Sequence, residues 1–130
     1  MKRIIKFRGK DKKIGKWVFG DLVHNKGFNN DLPEFLYDRV MVGGYEVNEE
    51  TVGQFTGLKD KNGKEIYEGD IIRIKDPNGG YSDAEISFCD KGYFAINYGF
   101  NDRVIAGFVD KNFIKINGNI YDNPELMKGE

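Results

Sequence analysis

The side chains best suited to chemistry in this 130-residue sequence are one histidine, one cysteine, a short run of carboxylates, and cations interleaved with aromatic rings. A metal site built on His24 would need carboxylates or Cys89 as its other ligands, and no short ligand spacing of that kind is present. His24 therefore reads as a surface or half-buried structural residue. Cys89 follows Phe88 at the end of an apolar run. A thiol there behaves as a small hydrophobe, whereas a nucleophile would need a base and an activating environment beside it. Glu65, Glu68 and Asp70 stand close enough in sequence to divide acid and base roles if their surroundings separate their pKa values. Turn chemistry accounts for the same residues more simply, because Gly69 supplies an unusual φ and Asp70 accepts backbone hydrogen bonds at the entry to a strand. The glycines at 43, 44, 53, 57, 63 and 69 have neither dinucleotide-binding spacing nor a Gly-Lys-Ser/Thr ending, and they precede no sizeable helix. No catalytic residue, metal ligand or cofactor is expected, and the chain reads as a non-enzyme.

The cations are a different matter. Lys6, Arg8, Lys10, Lys12, Lys13 and Lys16 surround Phe7, Trp17 and Phe19, and a small β-barrel can bind a single strand by stacking bases on such rings over a basic groove. Residues 1–17 carry +7 in total and residues 31–70 carry −6, so the two regions can attract each other within the fold or between subunits. Against nucleic acid stand a net charge of −1, the core-like alternation of the aromatics, and the ordinary use of lysine to guard an edge strand. These residues are the expected contact surface for a protein partner or a second copy of the chain, with nucleic acid as the alternative.

The elements that must position these groups are short strands. Hydrophobic residues make up 39% of the chain and charged residues 32%, which fits a globular domain and neither a disordered tail nor a coiled coil. Glycine is abundant at 17 residues while proline is scarce at 3, a balance that suits many tight turns between strands. No apolar run approaches a membrane span or a signal peptide, and the lone cysteine fits a reducing compartment, so a cytosolic protein without a membrane partner is expected.

Read in order, Ile4, Ile5 and Phe7 open a first strand, and Trp17 to Val23 form a second. His24 to Leu32 reads as a loop around Phe28, and Phe35 to Val42 as a strand broken by Gly43-Gly44 before Tyr45 and Val47. Asn48 to Thr51 fits one helical turn with Asn48 as its cap. Asn62-Gly63 marks a hairpin turn, and Ile72 and Ile74 alternate with Arg73 and Lys75 as a half-buried strand requires. Beyond Pro77 to Gly80, runs at Ala84–Phe88, Phe94–Tyr98, Val104–Val109 and Phe113–Ile116 continue as a meander, and Asn123-Pro124 starts a C-terminal helical turn. The expected core is Trp17, Phe19, Phe55, Ile72, Ile74, Ile86, Phe88, Phe94, Ile96 and Phe108. The fold class is all-β: short antiparallel strands in a barrel-like meander, one domain over 1–130 with subregions 1–58 and 59–130.

Three stretches, KFRGKDKKIGKWVFGDL at 6–22, ETVGQFTGLKDKNGKEIYEGDII at 50–72 and INGNIYDNPELM at 116–127, resemble the YopX family of small phage and prophage proteins. The resemblance covers nearly the whole chain in the family's order. It implies a mainly β fold of barrel-like character and an origin in a bacteriophage or integrated prophage, hence the cytoplasm of a bacterial host. It implies no substrate, cofactor or catalytic residue. Asn62, Gly63, Gly69 and Asp70 are then structural turn residues of its central motif.

Overall fold

In the computed structural model, residues 3–25, 39–76, 78–98 and 103–127 are described. The expected loop around Phe28, the start of the strand at Phe35 and the side chain of Phe108 lie outside the described residues. The sheets are antiparallel with a half-barrel curl, and the helical elements are single 3-10 turns. The chain divides into two compact units, Met1–Gln54 and Phe55–Glu130.

In the first unit, β1 (Phe7–Lys10) pairs on one side with β2 (Trp17–Gly20) and on the other with the first residues of β6 (Gly53–Lys59). A second sheet holds β3 (Leu22–Asn25), β4 (Arg39–Val42) and β5 (Tyr45–Glu46) in that order. The single strand expected from Trp17 to Val23 is thus two strands. The chain turns between them at Gly20, whose φ is 145° and whose missing Cβ would lie 2.8 Å from the Cα of Gly43. Val42 and Val47 fill the interior, and Gly9 leaves room for Val47. Ile4 and Ile5, expected in the first strand, precede it and are exposed. The turn at Glu49–Thr51 forms, but Asn48 caps it through its backbone: the Asn48 carbonyl accepts from the Thr51 N–H at 3.0 Å and from the Thr51 hydroxyl at 2.6 Å.

In the second unit, β6 continues and pairs with β7 (Glu65–Tyr67), with a bulge between Phe55 and Lys59. The main sheet has β8 (Asp70–Lys75), β9 (Tyr81–Phe88), β10 (Phe94–Asn97) and β11 (Arg103–Ile105) as an up-and-down meander, and β12 (Ile114–Asn119) returns to pair with the free side of β8. Strand register explains the core. Ile114, Ile74 and Ser82 lie opposite one another, as do Ile116, Ile72 and Ala84, while Ile86 faces Ile96. Residues directly opposite share a face. One face of the sheet therefore gathers Ile72, Ile74, Ala84, Ile86, Ile96 and Ile114 against Ile66 and Ala106. Each fully buried isoleucine contributes about 1.5–3 kcal/mol relative to its exposed state.

This core is aliphatic where the alternation pointed to aromatic rings. Phe55 and the four isoleucines at 72, 74, 86 and 96 are buried as expected, but Phe19 and Phe88 are 53% and 51% exposed, and Trp17 is half-buried. Phe88 closes the end of β9, where its ring meets that of Phe94 edge to face at 5.1 Å. The strand expected over Val104–Val109 stops at Ile105 and becomes a 3-10 turn at Ala106–Phe108. The C-terminal turn runs over Pro124–Met127.

Candidate functional site

The turn that joins β6 to β7 is the hub of the second unit. Its backbone closes with the Gly63 N–H donating to the Asp60 carbonyl at 3.0 Å and the Asp60 N–H to the Lys64 carbonyl at 2.9 Å, while Gly63 takes φ 80°. The hairpin turn expected at Asn62-Gly63 therefore forms, as a three-residue loop in which Gly63 sits where the left-handed residue is required. Asp60, which sequence reasoning passed over, makes the turn rigid. Its Oδ1 accepts from the N–H groups of Asn62 and Lys64 at 2.9 Å each, and its Oδ2 from the Ile116 N–H at 3.0 Å. The Lys61 N–H donates to the Ile114 carbonyl at 3.0 Å. The turn is thereby fastened to β12 through side chain and main chain together. Burial alone would push the Asp60 carboxyl up, but the donors of Ile116, Lys64 and Asn62, with the Lys64 charge, outweigh it and hold the group below its ordinary 3.8.

That fastening places Lys61 beside the outer face of the sheet. Lys115, Arg73 and Asp83 lie directly opposite one another on β12, β8 and β9, and Lys75 lies opposite Tyr81. Phe113 arrives on the same face, two residues before Lys115, from a 3-10 turn at Lys111–Phe113 that is capped by the Asp110 carboxylate accepting from the Asn112 N–H at 2.9 Å. Together Lys61, Arg73, Lys75, Lys115, Tyr81 and Phe113 line an open depression of ≈ 250 Å³ with no acidic residue in its lining. Tyr81 is 64% exposed and Phe113 50%. Arg73 is held by Asp83 in a two-pronged pair, Nε to Oδ1 at 3.1 Å and Nη2 to Oδ2 at 3.3 Å, and this hydrogen bonding raises its pKa further. Among the described residues, Lys61, Lys75 and Lys115 are drawn into no such pair. Nothing in the sequence joined these residues, which are spread over more than fifty positions; only the pairing of β12 with β8 collects them.

The basic residues near the N-terminus are placed otherwise. Arg8 is buried at 7% exposure, with its guanidinium 4.6 Å from the centre of the Trp17 ring, and the Lys10 ammonium lies 5.6 Å from the same ring. Lys12 reaches Glu46 at 3.5 Å, so the basic and acidic regions meet within the first unit. Lys6 is half-buried, and Lys13 and Lys16 are exposed at the turn that follows β1.

The carboxylates separate. Asp70 is 2% exposed and accepts from the Tyr67 N–H at 2.7 Å, Gly69 takes φ 93°, and Glu65 accepts from the Tyr67 hydroxyl at 3.1 Å, so all three serve the turn. Glu68 instead acts on Glu85 of β9, a residue that sequence spacing did not connect to it. Burial first, and the Glu68 charge second, raise the Glu85 pKa above its ordinary 4.5. A raised carboxylate pKa lowers stability as pH climbs past the unfolded value, so this pair opposes folding at neutral pH. Cys89 is buried in a turn; burial raises its pKa, but the N–H groups of Lys91 and Tyr93 and the Tyr93 side chain outweigh that and hold it below 9.0. His24 is exposed on β3. Among the described residues, no group of three or more His, Cys, Asp and Glu could hold a metal ion, and no helix is long and apolar enough to cross a membrane.

The crystal structure of protein EF1440 from Enterococcus faecalis is similar to this chain, with a TM-score of 0.59 at 25% sequence identity over 98% of this chain and 100% of that one. No curated protein matches the chain. The family model described as YopX protein matches residues 6–128, nearly the whole length and all three of the stretches that carried the resemblance, and the chain belongs to the YopX family.

Proposed function

We propose that this chain is a non-enzymatic binding module of a bacteriophage or prophage, whose working surface is the outer face of the β12-β8-β9 sheet, and that its partner is acidic. The observation that carries the reading is the cluster of Lys61, Lys75 and Lys115 around two exposed rings, with no carboxylate in the lining. Like charges gathered on a folded surface repel one another, so such a face is stabilised by an anionic partner. Asp60, Asp70 and the Cys89 thiol are absorbed by turns, which supports a role without catalysis for them.

The test is an amide-resonance titration with heparin, a generic polyanion, at low salt. Shifts concentrated at residues 73–75, 81–83 and 111–116 are the expected result. Absence of binding, or shifts confined to residues 6–16, would overturn it.

A second reading, self-association or a protein partner through the first unit, is favoured by the exposed apolar side chains of Phe19, Val23 and Tyr45, at 53%, 53% and 56%. Light scattering on the eluting protein measures it, and a strict monomer over the accessible concentration range removes the self-association half.

A further inference from the structure

We infer that the occupant of this face is single-stranded nucleic acid, with bases stacked on Tyr81 and Phe113 and phosphates held by Lys61, Lys75 and Lys115. The inference rests on the binding face proposed above and names its partner. Cations alone would serve any acidic partner, whereas rings set among them also suit a partner that carries exposed planar groups along an anionic backbone. What sets Tyr81 and Phe113 apart from the chain's other exposed rings is that both, at 64% and 50% exposure, line one depression together with three lysines, so a ligand there meets planar faces and positive charge at once. Every base offers a planar face, and stacking on an aromatic side chain is a sequence-tolerant source of affinity.

The geometry selects unpaired bases. Tyr81 and the strand that Phe113 precedes flank β8, two strand spacings or about 10 Å apart, with Lys75 between them. The rings project from a sheet face over a shallow depression of ≈ 250 Å³, too small to admit a double helix but open to separated bases. In a duplex the base faces are covered by their neighbours, so the rings would have nothing to stack on. Arg73 has a different part. Its guanidinium is already fixed by Asp83, which leaves it a rigid element in the floor rather than a mobile phosphate ligand. Net charge gives no hint of this, because at −1 the whole chain has no field to attract a polyanion; the attraction is local and short-ranged.

The experiment is fluorescence anisotropy with labelled oligothymidine, its duplex with oligoadenine, and heparin as competitor, over a range of salt. The full chain is compared with Lys75→Glu plus Lys115→Glu, Tyr81→Ala, Phe113→Ala and Lys12→Glu plus Lys13→Glu. All these side chains are exposed, so the variants should fold, and circular dichroism checks that they do. Expected are preference for the single strand, loss of roughly tenfold or more for each aromatic variant with the salt slope unchanged, and a large loss with a shallower slope for the double-charge variant at 75 and 115. The pair at 12 and 13 should leave binding intact. Equal affinity for duplex, single strand and heparin, with both aromatic variants silent, would overturn the single-strand inference and keep the acidic-partner face. Loss of binding on changing Lys12 and Lys13 alone would overturn both, as would no binding to any polyanion at low salt.

Discussion

Asp60 shows how one carboxylate can organise a unit. It is 2% exposed, yet it is charged, because three backbone N–H groups from two parts of the chain point at it. Asp60→Ala would leave those donors without an acceptor, and hydrogen bonds to a charged group are worth enough that the expected loss is on the order of 3 kcal/mol, read from denaturant unfolding. The pH dependence follows from its depressed pKa. The group stabilises the fold above its unfolded value near 3.8, and that contribution disappears as pH falls below it through the folded value. The gap between the parent chain and the Asp60→Ala variant should therefore shrink on acidification below about pH 4, the ordinary carboxylate range. The sequence showed the neighbouring Asn62-Gly63 clearly and Asp60 not at all. Turn propensity is local, whereas the value of Asp60 comes from Ile116, 56 residues away.

At the level of elements, the strands announced themselves by alternation and the turns by glycine, but two decisions were not local. Phe19 and Phe88 alternate as core residues do, yet each keeps about half of its surface in solvent, at 53% and 51% exposure. Isoleucines took the interior instead, since β-branched side chains at opposite positions on β8, β9, β10 and β12 suit a pleated surface and gather into one buried cluster. The break between β2 and β3 was hidden too, because it depends on another segment crossing it. Gly43 has φ 59°, and a Cβ there would lie 2.3 Å from the Phe19 carbonyl oxygen, whereas a Cβ on Gly63 would meet nothing within 4 Å. Gly63→Ala should therefore cost only left-handed backbone strain, about 1–2 kcal/mol. Gly43→Ala should lower the thermal midpoint much further, because backbone atoms must also move apart; parallel melting curves of the two variants compare them directly.

Across the whole molecule, the family and the all-β class were legible because they rest on long runs of residue types, in stretches such as the one from Glu50 to Ile72. The candidate binding face was not. Its cations at 61, 73, 75 and 115 look like solvated positions of separate strands until β12 is laid beside β8. The charge counts drew the eye to residues 6–16, where Arg8 is in fact turned inward under Trp17. A chain stopped at Asp110 should therefore lose both the face and the stability of the second unit: β8 would be left with a bare edge, and Ile72 and Ile74 would lose Ile114. Dye binding to exposed apolar surface and light scattering would register that outcome. The same pairing sets a schedule during synthesis. Because β8 must wait roughly forty residues for its second neighbour, the nascent chain passes through an interval in which a sticky ribbon is already outside the ribosome and its partner is still being translated. Lys75 and Arg73, whatever they later bind, are then the charges that keep that ribbon from its copies on adjacent ribosomes.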